Sequence, residues 1–112
     1  MKVYKYTKLP EAPETCCVKT TVRQLQTTEG NSRHCDIKLF EMQPDGYSPL
    51  HKHSSEHKVL VIEGEGVVFD GEKDYSIQSG EVIFIASNEQ HQFKNTKEGP
   101  LRFLALTVIA KE

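Results

Sequence analysis

The sequence predicts an all-β domain, a sandwich or a barrel, on three observations. Short runs rich in β-branched and aromatic residues recur along the chain, among them residues 58–62 (KVLVI), 82–85 (VIFI) and 101–110 (LRFLALTVIA). Turn-forming residues separate these runs at regular intervals: Gly64 and Gly66, Asp70-Gly71, and Ser79-Gly80. No apolar stripe at helical spacing outlasts one turn, so no helix is expected. A chain of 112 residues makes one domain, residues 1–112, with a single modest core.

Taken in order, residues 1–14 read as an N-terminal arm or edge strand. The run VYKY can pair at an edge, and Pro10 and Pro13 flank a polar stretch that cannot be a strand interior. Residues 15–25 are β-branched and weakly alternating, a strand on which Cys16 and Cys17 point to opposite faces. Residues 27–32, with Gly30 and Asn31, form a loop. Cys35, Ile37 and Leu39 then share one face, while Phe40 and Met42 are apolar on the other parity. Either both faces are buried there, or a bulge switches the phase near Leu39. Pro44-Asp45-Gly46 reads as a turn, with a strand from Tyr47 to Leu50 after it. Ser54, Ser55 and Glu56 form a short reversal, and His57 opens the next strand. Residues 63–66 turn, residues 67–69 form a strand, and Asp70-Gly71 closes a hairpin whose returning strand alternates through Tyr75 and Ile77. Ser79-Gly80 leads into residues 82–85, and a polar loop follows at 86–90. His91, Phe93 and Asn95 share one face of the next strand. After a turn at 96–100, the final strand sets Leu101, Phe103 and Ala105 on one face and Leu104, Leu106 and Val108 on the other.

The chemistry concentrates in residues 46–64, GYSPLHKHSSEHKVLVIEG. His51 and His53 are two apart and leave an extended chain by the same face. With His57 on the following strand, three imidazoles aim at one point, and His91 supplies a fourth from a later strand. Neutral imidazole is the commonest protein ligand for a transition metal. Glu56 competes with His57 for a place in the site, but on a strand it faces the other way. Tyr47 and Glu56 are the candidate general bases. Other polar residues have plainer readings. His34 is structural or exposed, the cysteines are packed small residues rather than ligands, and Asn95 is a backbone partner at a strand end. Phe40, Met42, Tyr47, Phe93 and Phe103 are core, with some lining the mouth of a pocket.

Two stretches carry a family resemblance. HKHSSEHKVLVIEG resembles the first motif of the cupins, and GEVIFIASNEQHQFKN, residues 80–95, resembles their second. In the first, Gly46, His51, His53 and Gly64 match, although the gap from Gly46 to His51 is one residue shorter than usual and His57 occupies the acid position. In the second, Gly80, His91 and Asn95 match, while Ala86 and Asn88 replace a proline and a glycine. The resemblance spans residues 33–108 and is closest to small single-domain cupins with a four-histidine site. It implies a double-stranded β-helix, a jelly-roll barrel, with His51, His53, His57 and His91 around one divalent transition metal per chain. Nitrogen ligands suit Mn, Fe, Co, Ni, Cu or Zn, and Mn or Fe is favoured for oxygen chemistry.

Four neutral imidazoles leave the double charge of such an ion uncompensated, which favours an anionic ligand such as an enolate or carboxylate. The first functional expectation is a metal-dependent dioxygenase, an oxidoreductase acting on a small organic molecule. The alternatives are a non-catalytic cupin module that binds a small molecule, and an isomerase or cyclase using the metal as a Lewis acid. Composition limits the partners. A net charge of −2 with acids and bases interspersed offers no basic stripe for nucleic acid and no polybasic patch for membrane. No apolar run reaches the roughly 20 residues of a membrane-spanning helix, and the lysine-containing start lacks the apolar centre of a signal peptide. Three cysteines, two of them adjacent, suit free thiols in the cytoplasm. A homodimer is expected, because one apolar face of the last strand fills the barrel and the other needs a cover; residues 3–6 can pair with the second subunit.

Overall fold

The computed structural model describes residues 1, 3–25 and 35–108. The expected loop at 27–32, Lys2, His34, the side chain of Cys35, and Ile109 and Ala110 of the expected last strand lie outside the described residues. The described chain forms nine strands: β1 (Glu11–Pro13), β2 (Val18–Gln24), β3 (Cys35–Tyr47), β4 (Glu56–Glu63), β5 (Glu65–Phe69), β6 (Asp74–Gln78), β7 (Val82–Ile85), β8 (Gln92–Lys94) and β9 (Leu101–Val108). Among the described residues, one 3₁₀ turn at Tyr6–Lys8 is the only helical element. No helix there is long and apolar enough to cross a membrane.

The strands join in one curled antiparallel sheet, in the order β6-β5-β8-β3-β9-β4-β7, with β2 on β3 and β1 on β2. The curl is the jelly-roll barrel that the family resemblance implies, and its inward and outward rows follow the expected alternation. Along β9, Leu101, Phe103 and Ala105 are buried while Arg102, Leu104 and Leu106 are only half-buried. Along β4, Val59 and Val61 point inward while Leu60 and Ile62 are exposed. With Met42, Val68, Ile77, Ile85 and Phe93 these inward residues make one core, against which Phe40 and Ile83 pack. The Phe103 ring stacks on both Phe40 and Phe93, at 5.2 and 4.8 Å between centroids.

β3 settles the question of the two apolar parities. Its register with β9 is unbroken from Cys35 opposite Val108 to Met42 opposite Leu101. Both faces are therefore buried: Met42 inside, and Leu39 outside between its cross-strand partners Arg23 and Leu104. The bulge comes later and corrects the turn expected at Pro44-Asp45-Gly46. β3 runs through these residues as a strand, while β2 passes from Val18 opposite Tyr47 to Thr20 opposite Met42. Asp45 takes a left-handed conformation with φ of 69°. Gly46 cannot be larger, because a Cβ would lie 2.6 Å from Met42 Cγ and 2.8 Å from the carbonyl oxygens of Gln43 and Val18. Beyond this bend β3 leaves β9 and meets β8, with Tyr47 opposite Lys94.

The N-terminal region also departs from expectation. Glu11–Pro13 is itself a short strand on β2, tolerated because it lies at the edge, where a missing proline N–H breaks no ladder. β2 starts at Val18 rather than at residue 15. Residues 14–17 turn instead, with the Cys17 N–H bonded to the Glu14 carbonyl at 3.0 Å. Cys16 and Cys17 thus lie side by side, their sulfurs 3.9 Å apart, exposed and half-buried rather than packed on opposite strand faces. The residues before β1 rest on their own barrel. Arg102 donates to the Tyr6 hydroxyl at 2.8 Å, Arg23 donates to the Leu9 carbonyl at 2.8 Å, and both guanidinium groups stack on the Tyr6 ring.

Candidate metal centre

Past β3 the chain stays extended although Pro49 has no N–H to give to a ladder. Ser48 N–H bonds to the Phe93 carbonyl at 2.9 Å, and His51 and His91 exchange backbone bonds of 3.2 and 2.9 Å as an isolated antiparallel bridge. That pairing places the two imidazoles side by side across the strands, their rings edge to face at 89°. Two residues on, the His53 carbonyl accepts the Asn88 N–H at 2.6 Å, which ties His53 to the loop ahead of His91. Asn88 stands where the cupin motif has glycine and adopts φ of 64°, a conformation asparagine tolerates better than most side chains. After the bend at 54–55, β4 turns His57 inward and leaves Glu56 exposed, as strand alternation requires.

The rings meet closely. Centroids are 4.2 Å apart for His51 and His53, 4.9 Å for His51 and His91, and 5.3 Å for His53 and His91. One nitrogen from each of these three lies within 4.8 Å of the others. An ion about 2.1 Å from each imidazole needs nitrogens up to about 4 Å apart, within a small rotation of these side chains, so the three histidines are positioned to bind a metal ion. The His57 ring lies 5.0 Å from that of His53 and 5.4 Å from that of His91. Its Nδ1 is 2.9 Å from the Thr107 hydroxyl, and its Nε2 is buried without a hydrogen-bond partner among the described residues. An orphaned buried nitrogen is costly in the bare protein, and His57 stands outside the trio whose nitrogens lie within 4.8 Å of one another. His91 Nδ1 lies 3.0 Å from the Glu89 carbonyl oxygen. A carbonyl only accepts, so Nδ1 holds the proton and Nε2 keeps its lone pair for an ion.

The electrostatics agree with this donor set. Burial pushes the pKa of His51 and His91 down, and the neighbouring histidines push in the same direction. For His91 the Glu89 carbonyl opposes the shift without reversing it. Burial, then the other three imidazoles and Lys38, push His57 down to about 4. These rings are accordingly neutral at pH 7, the state in which imidazole binds a cation.

The histidines form one wall of a cavity of about 330 Å³. Its floor is apolar, from Met42, Phe40, Phe93 and Phe103, and the inward residues Asp36 and Lys38 of β3, separated from β4 by β9, form another wall. Neither candidate base lines it. Tyr47 is 46% exposed and stands beside Asp45 and Lys94 on the outer surface. Ser48, which shares the inward parity of Phe40 and Met42, faces the cavity instead of Tyr47. Asn95 is buried and structural, donating to the Met42 and Gly99 carbonyls at 2.8 and 2.9 Å. Sequence reasoning overlooked Asp36, Lys38 and Thr107, and it did not place Glu14, Cys16 and Cys17 at the cavity. A signal existed for the first three: Asp36 and Lys38 share the parity of Phe40 and Met42, and Thr107 continues Leu101, Phe103 and Ala105. A polar residue on a core parity marks a cavity wall.

A jelly-roll barrel with converging histidines defines a class of small metal-binding β-proteins. Residues 38–108 match the family model described as a cupin domain, and the chain belongs to the cupin family. It is 33% identical over 95 residues to the oxalate-binding protein of Thermotoga maritima, covering 81% of this chain and 78% of that one. Among solved structures it resembles the polyketide cyclase RemF of Streptomyces resistomycificus, with 29% identity, a TM-score of 0.86, and coverage of 96% of this chain and 79% of that one. A sugar phosphate isomerase of the cupin superfamily from Silicibacter pomeroyi shares the fold, at 22% identity, a TM-score of 0.73, and coverage of 82% and 60%.

Proposed function

We propose that the chain is a metal-dependent enzyme of the dioxygenase type that takes a small anionic organic molecule at the histidine cluster. His51, His53, His57 and His91 are the proposed ligands of one divalent transition metal per chain, with Mn or Fe favoured. The observation that carries this reading is the orphaned Nε2 of His57, buried beside His53 and His91. It adds a fourth neutral donor to the three whose nitrogens already converge. Such an ion, when bound, supplies Lewis acidity and, as iron or manganese, redox chemistry with dioxygen. The residues of the chain do the rest. Thr107 and the Glu89 carbonyl hold the ring orientation of His57 and His91. Phe40, Phe93, Phe103 and Met42 keep water from the floor of the cavity.

Metal analysis of protein purified from its own host, followed by oxygen uptake with a panel of diketones, flavonols and thiols, tests the reading. Iron or manganese with substrate-dependent uptake supports it. Turnover without uptake replaces it by Lewis-acid cyclase or isomerase chemistry, a reading supported by the likeness to the polyketide cyclase. Ligand binding without turnover replaces it by a binding module, supported by the likeness to the oxalate-binding protein and by the absence of Tyr47 and Glu56 from the cavity wall.

The same reading includes a homodimer and a reducing, cytoplasmic setting. Leu60, Ile62, Val82 and Phe84 support the dimer, since they remain exposed on the outer face of β4 and β7. Tyr6 and Leu9 engage Arg102 and Arg23 of their own barrel, whereas Val3 and Tyr4 ahead of them are exposed and are the part of the N-terminal run left to pair with the second subunit.

A further inference from the structure

We infer that Lys38 forms a second anion subsite across the cavity from the histidines, so that the ligand is a small organic acid bearing two anionic groups, one for the metal and one for the Lys38 ammonium. This rests on the metal reading above and adds to it the shape and charge of the ligand. The inward residues of β4, β9 and β3 fall in cross-strand rows. His57 lies opposite Thr107, which lies opposite Asp36; one row deeper, Val59 lies opposite Ala105, which lies opposite Lys38. In the next row Val61 is opposite Phe103 and Phe103 opposite Phe40. Lys38 is thus the one basic side chain among the cavity's lining residues other than the histidines. Its charge is felt at His57. Between the two walls β9 contributes Thr107 in the row of His57, only the methyl group of Ala105 in the row of Lys38, and the Phe103 ring beneath it. A small residue at that point leaves a trough whose ends are the histidine cluster and Lys38.

The acids at the cavity do not consume this cation. Among the described residues, Lys38 takes part in no ion pair, and neither do Asp36 and Glu14. Asp36 Oδ1 accepts a hydrogen bond from Gln24 at 3.1 Å, and Glu14 accepts from the Cys16 thiol at 3.4 Å. Burying a lysine stem along Phe40 while its ammonium meets an anion uses the side chain as amphipathic residues are generally used. A carboxylate there completes a charge-assisted hydrogen bond that a singly charged ligand cannot make.

The experiment uses the full chain loaded with Mn²⁺ and titrates it with malonate, succinate and glutarate, and with the monocarboxylates propionate, butyrate and valerate of similar length. In the wild type at least one dicarboxylate should bind tenfold or more tightly than its monocarboxylate counterpart. Lys38→Met should retain one Mn²⁺ per chain and bring that ratio close to one, and Lys38→Arg should restore most of it. An unchanged ratio in a fully metallated Lys38→Met protein overturns the subsite while leaving the metal reading intact. A wild type that takes up no Mn²⁺, Fe²⁺ or Zn²⁺ overturns the metal reading, and the inference with it.

Discussion

At the closed end of the barrel β3, β9 and β4 present Met42, Leu101 and Val61 inward, each at most 1% exposed. At the open end the same strands present Asp36, Thr107 and His57. The backbone is alike in both places: the β3–β9 ladder is unbroken throughout, and the β4–β9 ladder keeps its register from Glu56 to Val61 and shifts only beyond it. What differs is what the inward positions do. Each apolar side chain at the closed end contributes about 1.5–3 kcal/mol by leaving water. At the open end burial works against the residues, as the depressed pKa values of the histidines show. One end of the strands therefore supplies stability, and the other uses part of it to hold poorly solvated donors in place.

Mutations at the two ends should separate these roles. Leu101→Ala should cost about 2–5 kcal/mol, the usual range for emptying a fully buried leucine site. Urea unfolding measures this, and the metal stoichiometry of the folded fraction should not change. His51→Ala, His53→Ala or His91→Ala should abolish most metal retention after dialysis while moving the chelator-treated melting temperature little; full occupancy in His51→Ala would refute the site. His57→Ala should lose less metal, since three convergent nitrogens remain. Thr107→Val should lower metal affinity about 10–100-fold, because it frees the ring that the hydroxyl orients.

Acid offers a gentler probe of the same contrast. The ordinary histidine value is 6.5, and His57 is pushed down to about 4 in the fold. Between these values the unfolded chain binds more protons than the folded one, so stability rises with pH across the window and falls as pH drops through it. In chelator, the melting temperature should decline from about pH 6.5 towards pH 4. His57→Gln should flatten that decline, whereas Leu101→Ala should lower the whole curve without changing its slope. The smallest stability effect is expected outside the barrel. Phe84 is 55% exposed on β7, so Phe84→Glu should alter monomer stability by no more than about 0.5 kcal/mol. It should nonetheless convert a dimer to a monomer in sedimentation at micromolar concentration, and an unchanged mass would place the subunit contact elsewhere or show that none exists.

The sequence by itself determined the features that depend on near neighbours along the chain. The inward direction of His57 against Glu56, the turns at Gly64, Asp70-Gly71 and Ser79-Gly80, and the inward parity of Leu101, Phe103 and Ala105 all follow from a side-chain period of two and from local turn chemistry. Only the tertiary structure decided the rest, because it depends on register between distant strands. Pro44-Asp45-Gly46 has the composition of a turn, yet β2 and β8 pair on either side of it and make it a bulge within a continuing strand. Cys16 and Cys17 meet the cavity because β1 pairs with β2 and folds the intervening residues into a turn. Thr107 reaches His57 across 50 residues of sequence, and Lys38 stands opposite Ala105 across a comparable gap. Cross-strand partners of this kind are chosen by the ladder as a whole, and no local pattern in the chain states which residues they will be.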